Sequence, residues 1–362
     1  MSKIITVIPV KNDAWFVDKS IRSAAIWSDQ VIVADQCSDD GSYDIYRAIE
    51  SDFSNVNIIY DRPKFDYNTP DLRNYLLNHA REFNGNNLIF EIHADEIMSA
   101  DILNPEIRNK LLLDVGIGNA VSMPWINLWN KHNLYRKDKS VWSDSRQFFA
   151  FRDDRRAVFK NPVFHGSRCP EILTKNEIKI DYLKVMHYQF LNLKMERSKQ
   201  ALYQIFERNH YPNKNTEHIN KIYAHVFDER SMGLCQLEDE HYIPWVERGI
   251  EIDKEYPLDG YNWRDTEVLK NFQKFGVKRY KNINIWYIDW EDKRKKAIKK
   301  GFNFTSAIVD PRSLSTKLSH KFLMKYQLYS FWRLDFYKLL IYKFMERVFK
   351  KEIGRASCRE RV

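Results

Sequence analysis

Cysteine is scarce. Cys37, Cys169, Cys235 and Cys358 are the whole complement among 362 residues, scattered with no CxxC and no paired spacing. That pattern argues against a zinc site or a disulfide framework and predicts free thiols in a reducing compartment. Long apolar runs are also missing, so no segment is predicted to cross a bilayer. Met1-Ser2-Lys3 leads directly into a strand-like run instead of the basic, apolar, small-residue succession of a secretory signal, and the cytoplasm is the expected location. Neither a GxGxxG nor a GxxxxGK(S/T) loop occurs, so a dinucleotide fingerprint and a P-loop are not indicated. Repeats and low-complexity stretches are absent as well.

What is present is 44% hydrophobic and 30% charged residues, the balance of a globular protein with a wet surface. The length suffices for two units. The formal net charge is +9. Glu352 to Val362 reads like a common sequencing adapter translated in frame, and it carries three Arg and two Glu. Without it the charge is +8 (9 less 3, plus 2), Cys358 drops out, and the natural chain is expected to diverge near Lys351.

The N-terminal half alternates in character. Ile4 to Val10 predicts a strand, and Ala14 to Trp27 a helix with Phe16, Val17, Ile21, Ala24 and Ala25 at helical spacing. Gln30 to Asp35 reads as a second buried strand. A turn rich in capping residues, Gln36 to Ser42, then precedes a helix from Tyr43 to about Ser51. Asn57 to Tyr60 is a third strand, and Thr69-Pro70-Asp71 opens another helix. Leu88 to Ile92 is the next strand, ending abruptly in His93, Asp95 and Glu96. This order predicts an α/β fold, a mostly parallel sheet flanked by helices, followed by a mainly helical C-terminal region. Ligands of such sheets gather at the carboxyl ends of the strands. A carboxylate there can hold a hard divalent cation, and the cation a diphosphate.

Four landmarks follow one another: Val7-Ile8-Pro9-Val10-Lys11-Asn12, then Val31 to Ser42, then Arg73-Asn74, then His93-Ala94-Asp95-Glu96. In that order they resemble family-two glycosyltransferases with the Rossmann-like GT-A fold, over roughly the first half of the chain. The resemblance implies a nucleotide pocket lined by Pro9, Lys11 and Asn12. Asp35 would accept a hydrogen bond from the base, usually uracil, although a strand-end Asp equally caps the next helix. Arg73 would lie near the diphosphate as a cationic fork. The family's DxD is here His93-Ala94-Asp95, so Asp95 matches the residue that ligates the metal. His93 suits Mn²⁺ but is a poor ligand for Mg²⁺, and a strand-end His is often purely structural. The implied divalent metal is therefore Mn or Mg, unspecified. His187, in the strand Val185 to Phe190, is the candidate for the late His that completes such a metal site; a core role is the alternative.

Pro105 to Asp114 predicts a helix, and Ala120 to Ile126 and Ser145 to Arg152 predict strands. Between them, Trp125, Asn127, Trp129, Asn130, His132 and Tyr135 supply the flat faces and hydrogen-bonding groups that sugars need, though core packing uses the same residues. Relatives often carry His-Glu in the following loop, where this chain has His165-Gly166 and, farther on, Glu171. Inverting transfer requires a carboxylate to take the acceptor's proton, and Glu171 and Asp144 are the candidates. From Lys194 the texture turns helical. Residues 317–351 set Phe322, Tyr326, Phe331, Trp332 and Phe336 beside Lys321, Lys325, Arg333 and Lys338, as in a helix lying in a membrane interface. A docked terminal helix is the alternative. The expected divisions are 1–192 catalytic, 193–316 accessory, 317–351 anchor and 352–362 artefactual. A pI of 9.1 raises nucleic-acid binding, but the charge gathers near the C-terminus without any nucleic-acid motif, so no such partner is expected.

The resulting expectation is a metal-dependent, inverting glycosyltransferase at the inner membrane face, acting in cell-surface polysaccharide synthesis. It would move sugar from a nucleotide-sugar donor, foremost a UDP-sugar, to a glycan or lipid-linked acceptor. The altered DxD motivates one competitor, a degenerate module of the same type that binds its ligand without turnover.

Overall fold

The computed structural model describes residues 2–60, 69–137, 142–143, 145–160, 166–223, 233–254 and 260–326. Asp144, His165, residues 327–351 of the aromatic basic segment and the adapter-like tail 352–362 lie outside the described residues. The chain divides into two units, Met1–Leu191 with Gly233–Tyr256, and Asn192–Met232 with Pro257–Val362.

The first unit opens with β1 (Ile4–Val10), α1 (Val17–Trp27), β2 (Gln30–Asp35), α2 (Ser42–Asp52), β3 (Val56–Ile59), α3 (Thr69–Ala80), β4 (Leu88–Glu91) and β5 (Glu96–Met98). It continues through α4 (Pro105–Asp114), β6 (Ala120–Trp129), β7 (Leu134–Arg136), β8 (Ser145–Arg152), β9 (Glu177–Lys179) and β10 (Val185–Phe190). Next come α5 (Leu193–His210) and α6 (Thr216–Ile222) of the second unit. The chain then returns to the first unit with β11 (Leu234–Gln236) and α7 (Ile243–Glu247). α8 (Trp263–Phe275), α9 (Trp290–Lys299) and α10 (Leu314–Tyr326) complete the second unit, whose described residues contain helices and no strand.

The architecture is the α/β one that the sequence predicts. Strands β3, β2, β1 and β4 lie side by side and parallel. Beyond β4 the sheet continues antiparallel through β8 to β6. β1 is buried at six of seven positions, as a strand covered on both faces must be, and its β-branched residues suit that place. α1 buries Val17, Ile21, Ala24 and Ala25 along one stripe. Asn104 caps α4 with Pro105 in the first turn, and Asn262 with Asp265 forms a capping box on α8. The first unit's core joins Phe90, Phe149 and Tyr188 to Trp245 of the returning segment. The Trp245 indole donates to the Met98 carbonyl at 2.8 Å.

One strand matters most for the site. β10 pairs on one side with β6, in parallel, and on the other with β5, antiparallel. The registers set His187 opposite both Asn127 and Glu96.

Candidate functional site

β1 and β4 are parallel neighbours with Val7 opposite Glu91, so Lys11 and Asn12 follow the carboxyl end of one strand and residues 92–95 that of the other. The first loop is tied to the one after β2. Asn12 N donates to Ser38 Oγ at 2.8 Å, Asp39 N donates to Asn12 Oδ1 at 2.7 Å, and Lys11 Nζ donates to the Gln36 carbonyl at 3.2 Å. Asn12 holds a left-handed φ of 53°, which Asn accepts more readily than most residues. Pro9 is half-buried at the end of β1. Asp35 departs from expectation: it is fully buried, with one oxygen accepting from Ser38 N and the other from Tyr46 Oη. It braces the loop and offers no accessible oxygen to a base. Burial, reinforced by Asp35, pushes the Tyr46 hydroxyl upward.

The turn after β4 is built on two buried ion pairs. Arg73 was expected beside a diphosphate, but it is buried and grips Glu91 through Nε and Nη2 at 2.7–2.9 Å, while Nη1 donates to the Gly166 carbonyl. Arg168 grips the fully buried Glu96 through Nη1 and Nη2, at 2.5 and 2.8 Å. Burial by itself raises both carboxyls. The arginines and adjacent histidines outweigh it, so Glu91 and Glu96 are each held at about 2. Glu96 also accepts from His93 N and from Trp125 Nε1, both at 2.8 Å. His93 departs from the ligand reading as well. Its Nδ1 lies 3.3 Å from Arg168 Nη2 and its Nε2 3.4 Å from Glu91 Oε1, so both ring nitrogens are occupied by protein.

Asp95, in the turn between β4 and β5, and His187, on β10, come together across ninety-two positions of sequence. His187 Nε2 is 3.6 Å from Asp95 Oδ2, and Tyr188 N donates to the Asp95 carbonyl at 2.9 Å, fixing β10 against the turn. The other ring nitrogen of His187, Nδ1, is 2.9 Å from Asn127 Oδ1. Trp125 stacks on the imidazole with ring centroids 4.5 Å apart. One carboxylate oxygen and one imidazole nitrogen facing each other form a donor set that fits a divalent metal, with Mn²⁺ favoured over Mg²⁺ by the nitrogen.

Glu171 is exposed, and among the described residues its side chain makes no hydrogen bond or ion pair with Asp95 or His187. Asp144 lies outside the described residues. Trp129 is fully buried, stacked on Phe190 and with the Arg136 guanidinium 4.9 Å from its ring centroid, so that part of the aromatic run serves the core. A second acidic group, Asp101, Glu240 and His241, places one donor atom from each residue within 4.8 Å of the others. It lies past the far end of β5, and the bond from His241 Nδ1 to Asp101 (2.9 Å) fastens the returning segment to the helical turn that follows that strand.

No protein-family model matches the chain, and no curated protein sequence matches it. Solved structures do. TarS residues 1–349 of S. aureus give a TM-score of 0.34 at 13% identity, with 86% of this chain and 95% of that one covered. The mannosyltransferase PcManGT of Pyrobaculum calidifontis, in complex with GDP-Man and Mn²⁺, gives 0.37 at 10%, covering 91% and 86%. GalNAc-T7 with UDP, GalNAc and Mn²⁺ gives 0.32 at 10%, covering 85% and 59%.

Proposed function

We propose that the first unit binds a nucleotide-diphosphate sugar at the shared edge of β1 and β4 and transfers the sugar to a hydroxyl acceptor, as a family-two-like hexosyltransferase. The observation that carries this reading is the convergence of Asp95 and His187 at the carboxyl edge of a parallel sheet. The two residues would hold the metal, whose positive charge offsets that of the departing diphosphate. Because Arg73 and Arg168 are neutralised by Glu91 and Glu96, they orient the turn and leave charge compensation at the diphosphate to the cation and Lys11. Trp125 walls His187 on one face and keeps water from it. Transfer with inversion, with Glu171 or Asp144 as base, a glycan or lipid-linked acceptor, and work on cell-surface polysaccharide at the inner membrane face complete the proposal.

A panel of UDP- and GDP-sugars, incubated with the full chain with and without Mn²⁺, tests it by release of the nucleoside diphosphate. Metal-dependent release that Asp95→Ala abolishes is the expected result. Binding of a donor without release under any divalent metal would replace the enzyme with the binding module, and release unaffected by Asp95→Ala would remove Asp95 from the site.

A further inference from the structure

The two histidines beside Asp95 are held by partners of opposite kind. Asn127 Nδ2 lies 2.9 Å from the Trp142 carbonyl, and a carbonyl oxygen only accepts. That contact fixes the amide, so the atom 2.9 Å from His187 Nδ1 is Oδ1, itself an acceptor. Nδ1 of His187 must then carry the proton. In the neutral ring, Nε2 is left with a bare lone pair facing Asp95 Oδ2 at 3.6 Å. Two acceptors opposed at that distance repel each other until a cation stands between them. His93 is the reverse case. Arg168 only donates, so His93 Nδ1 accepts, while the Glu91 carboxylate only accepts, so Nε2 carries the proton. No lone pair of His93 is left over.

We infer that Asn127 is a positioning residue that locks His187 in the Nδ1–H tautomer and makes it the nitrogen ligand beside Asp95. Arg168 and Glu91 lock His93 in the other tautomer and withdraw it from metal binding. The altered first position of the DxD segment is thus compensated from β10, not by the His that replaces it. This rests on the site reading proposed above. Asn127 is well placed for the task. It is 1% exposed, and the β6–β10 register sets it directly opposite His187.

The first test needs no variant. Long-range proton–nitrogen NMR on the metal-free, nitrogen-labelled chain, at a pH where free imidazole is neutral, reports which nitrogen of each ring is protonated. The expected pattern is Nδ1–H for His187 and Nε2–H for His93. An unprotonated Nδ1 on His187 overturns the inference.

The second test measures Mn²⁺ affinity directly from the electron paramagnetic resonance of free Mn²⁺. Asn127→Ala should weaken binding by about 10- to 100-fold, as loss of a ligand's hydrogen-bond partner does, and His93→Ala by much less. Binding lost in Asp95→Ala but intact in Asn127→Ala overturns the role of Asn127 while leaving the site in place. An unmutated chain that binds no Mn²⁺, yet shows the expected tautomers, sinks the metal reading and not the assignment of the rings.

Discussion

Arg168→Met is the perturbation with the largest expected effect. The variant keeps most of the side-chain volume and removes the guanidinium that meets both oxygens of Glu96, a carboxylate with no exposed surface. Removing one member of a buried pair strands the other charge, and such losses run to about 3–5 kcal/mol. The acid side gives a similar size. Glu96 is held at about 2 against an ordinary value of 4.5, and a shift of that order corresponds to about 3 kcal/mol. Because the folded value is the lower one, this stability is fully present above pH 4.5 and is lost as pH falls towards 2. In Arg168→Met burial acts with far less opposition, so Glu96 titrates at higher pH and the acid limb of the stability profile moves up with it. For a unit of roughly 200 residues the loss at neutral pH corresponds to a fall in Tm of about 6–20 °C, measured by calorimetry on the full chain. Adding Glu96→Gln should return part of it, because the stranded charge is then gone. A loss below about 1 kcal/mol, the level of an exposed pair, would refute the reasoning. So would a double variant less stable than Arg168→Met.

Three further outcomes are expected. Tyr46→Phe takes one of the two donors seen on the buried Asp35 and should cost about 1–3 kcal/mol in urea denaturation; an unchanged midpoint would show that the remaining donors suffice. Donor hydrolysis should run faster with Mn²⁺ than with Mg²⁺ at equal concentration, given the imidazole proposed for the donor set, and a Mg²⁺ preference would argue for an all-oxygen site. Deleting residues 317–362 should reduce sedimentation with anionic phospholipid vesicles, and undiminished sedimentation would dispose of the anchor.

How much of this was legible in the sequence depends on the range of the interactions. β1, β2, α4, β8 and β10 fall where the apolar runs and capping residues put them, because those signals are local. Asp95 and His187 stood out as candidates for the same local reason, one at a strand end and one within a strand. What lay hidden was pairing across distance. Arg73 read as a diphosphate-facing cation until the fold supplies Glu91, eighteen positions away, and nothing in the sequence singled out Arg168 as the partner of Glu96, seventy-two positions before it. Asn127 looked like one polar group in an aromatic run, and only the β6–β10 register shows which ring it faces. The tautomer of a histidine depends on such neighbours, so a motif alone gave no means of ranking His93 against His187.

The return of residues 233–256 bears on how this protein can be cut. Its indole plug at position 245, wholly enclosed and bonded to the Met98 carbonyl, fills the interior beneath β5, the strand that begins at Glu96. A fragment stopped at Leu191 would keep every residue of the candidate metal site and still lack that plug. It would expose a hole beside the strand carrying Glu96, and its failure to bind ligand would say nothing about the chemistry of the intact chain. Any dissection of the protein should therefore carry the later segment along.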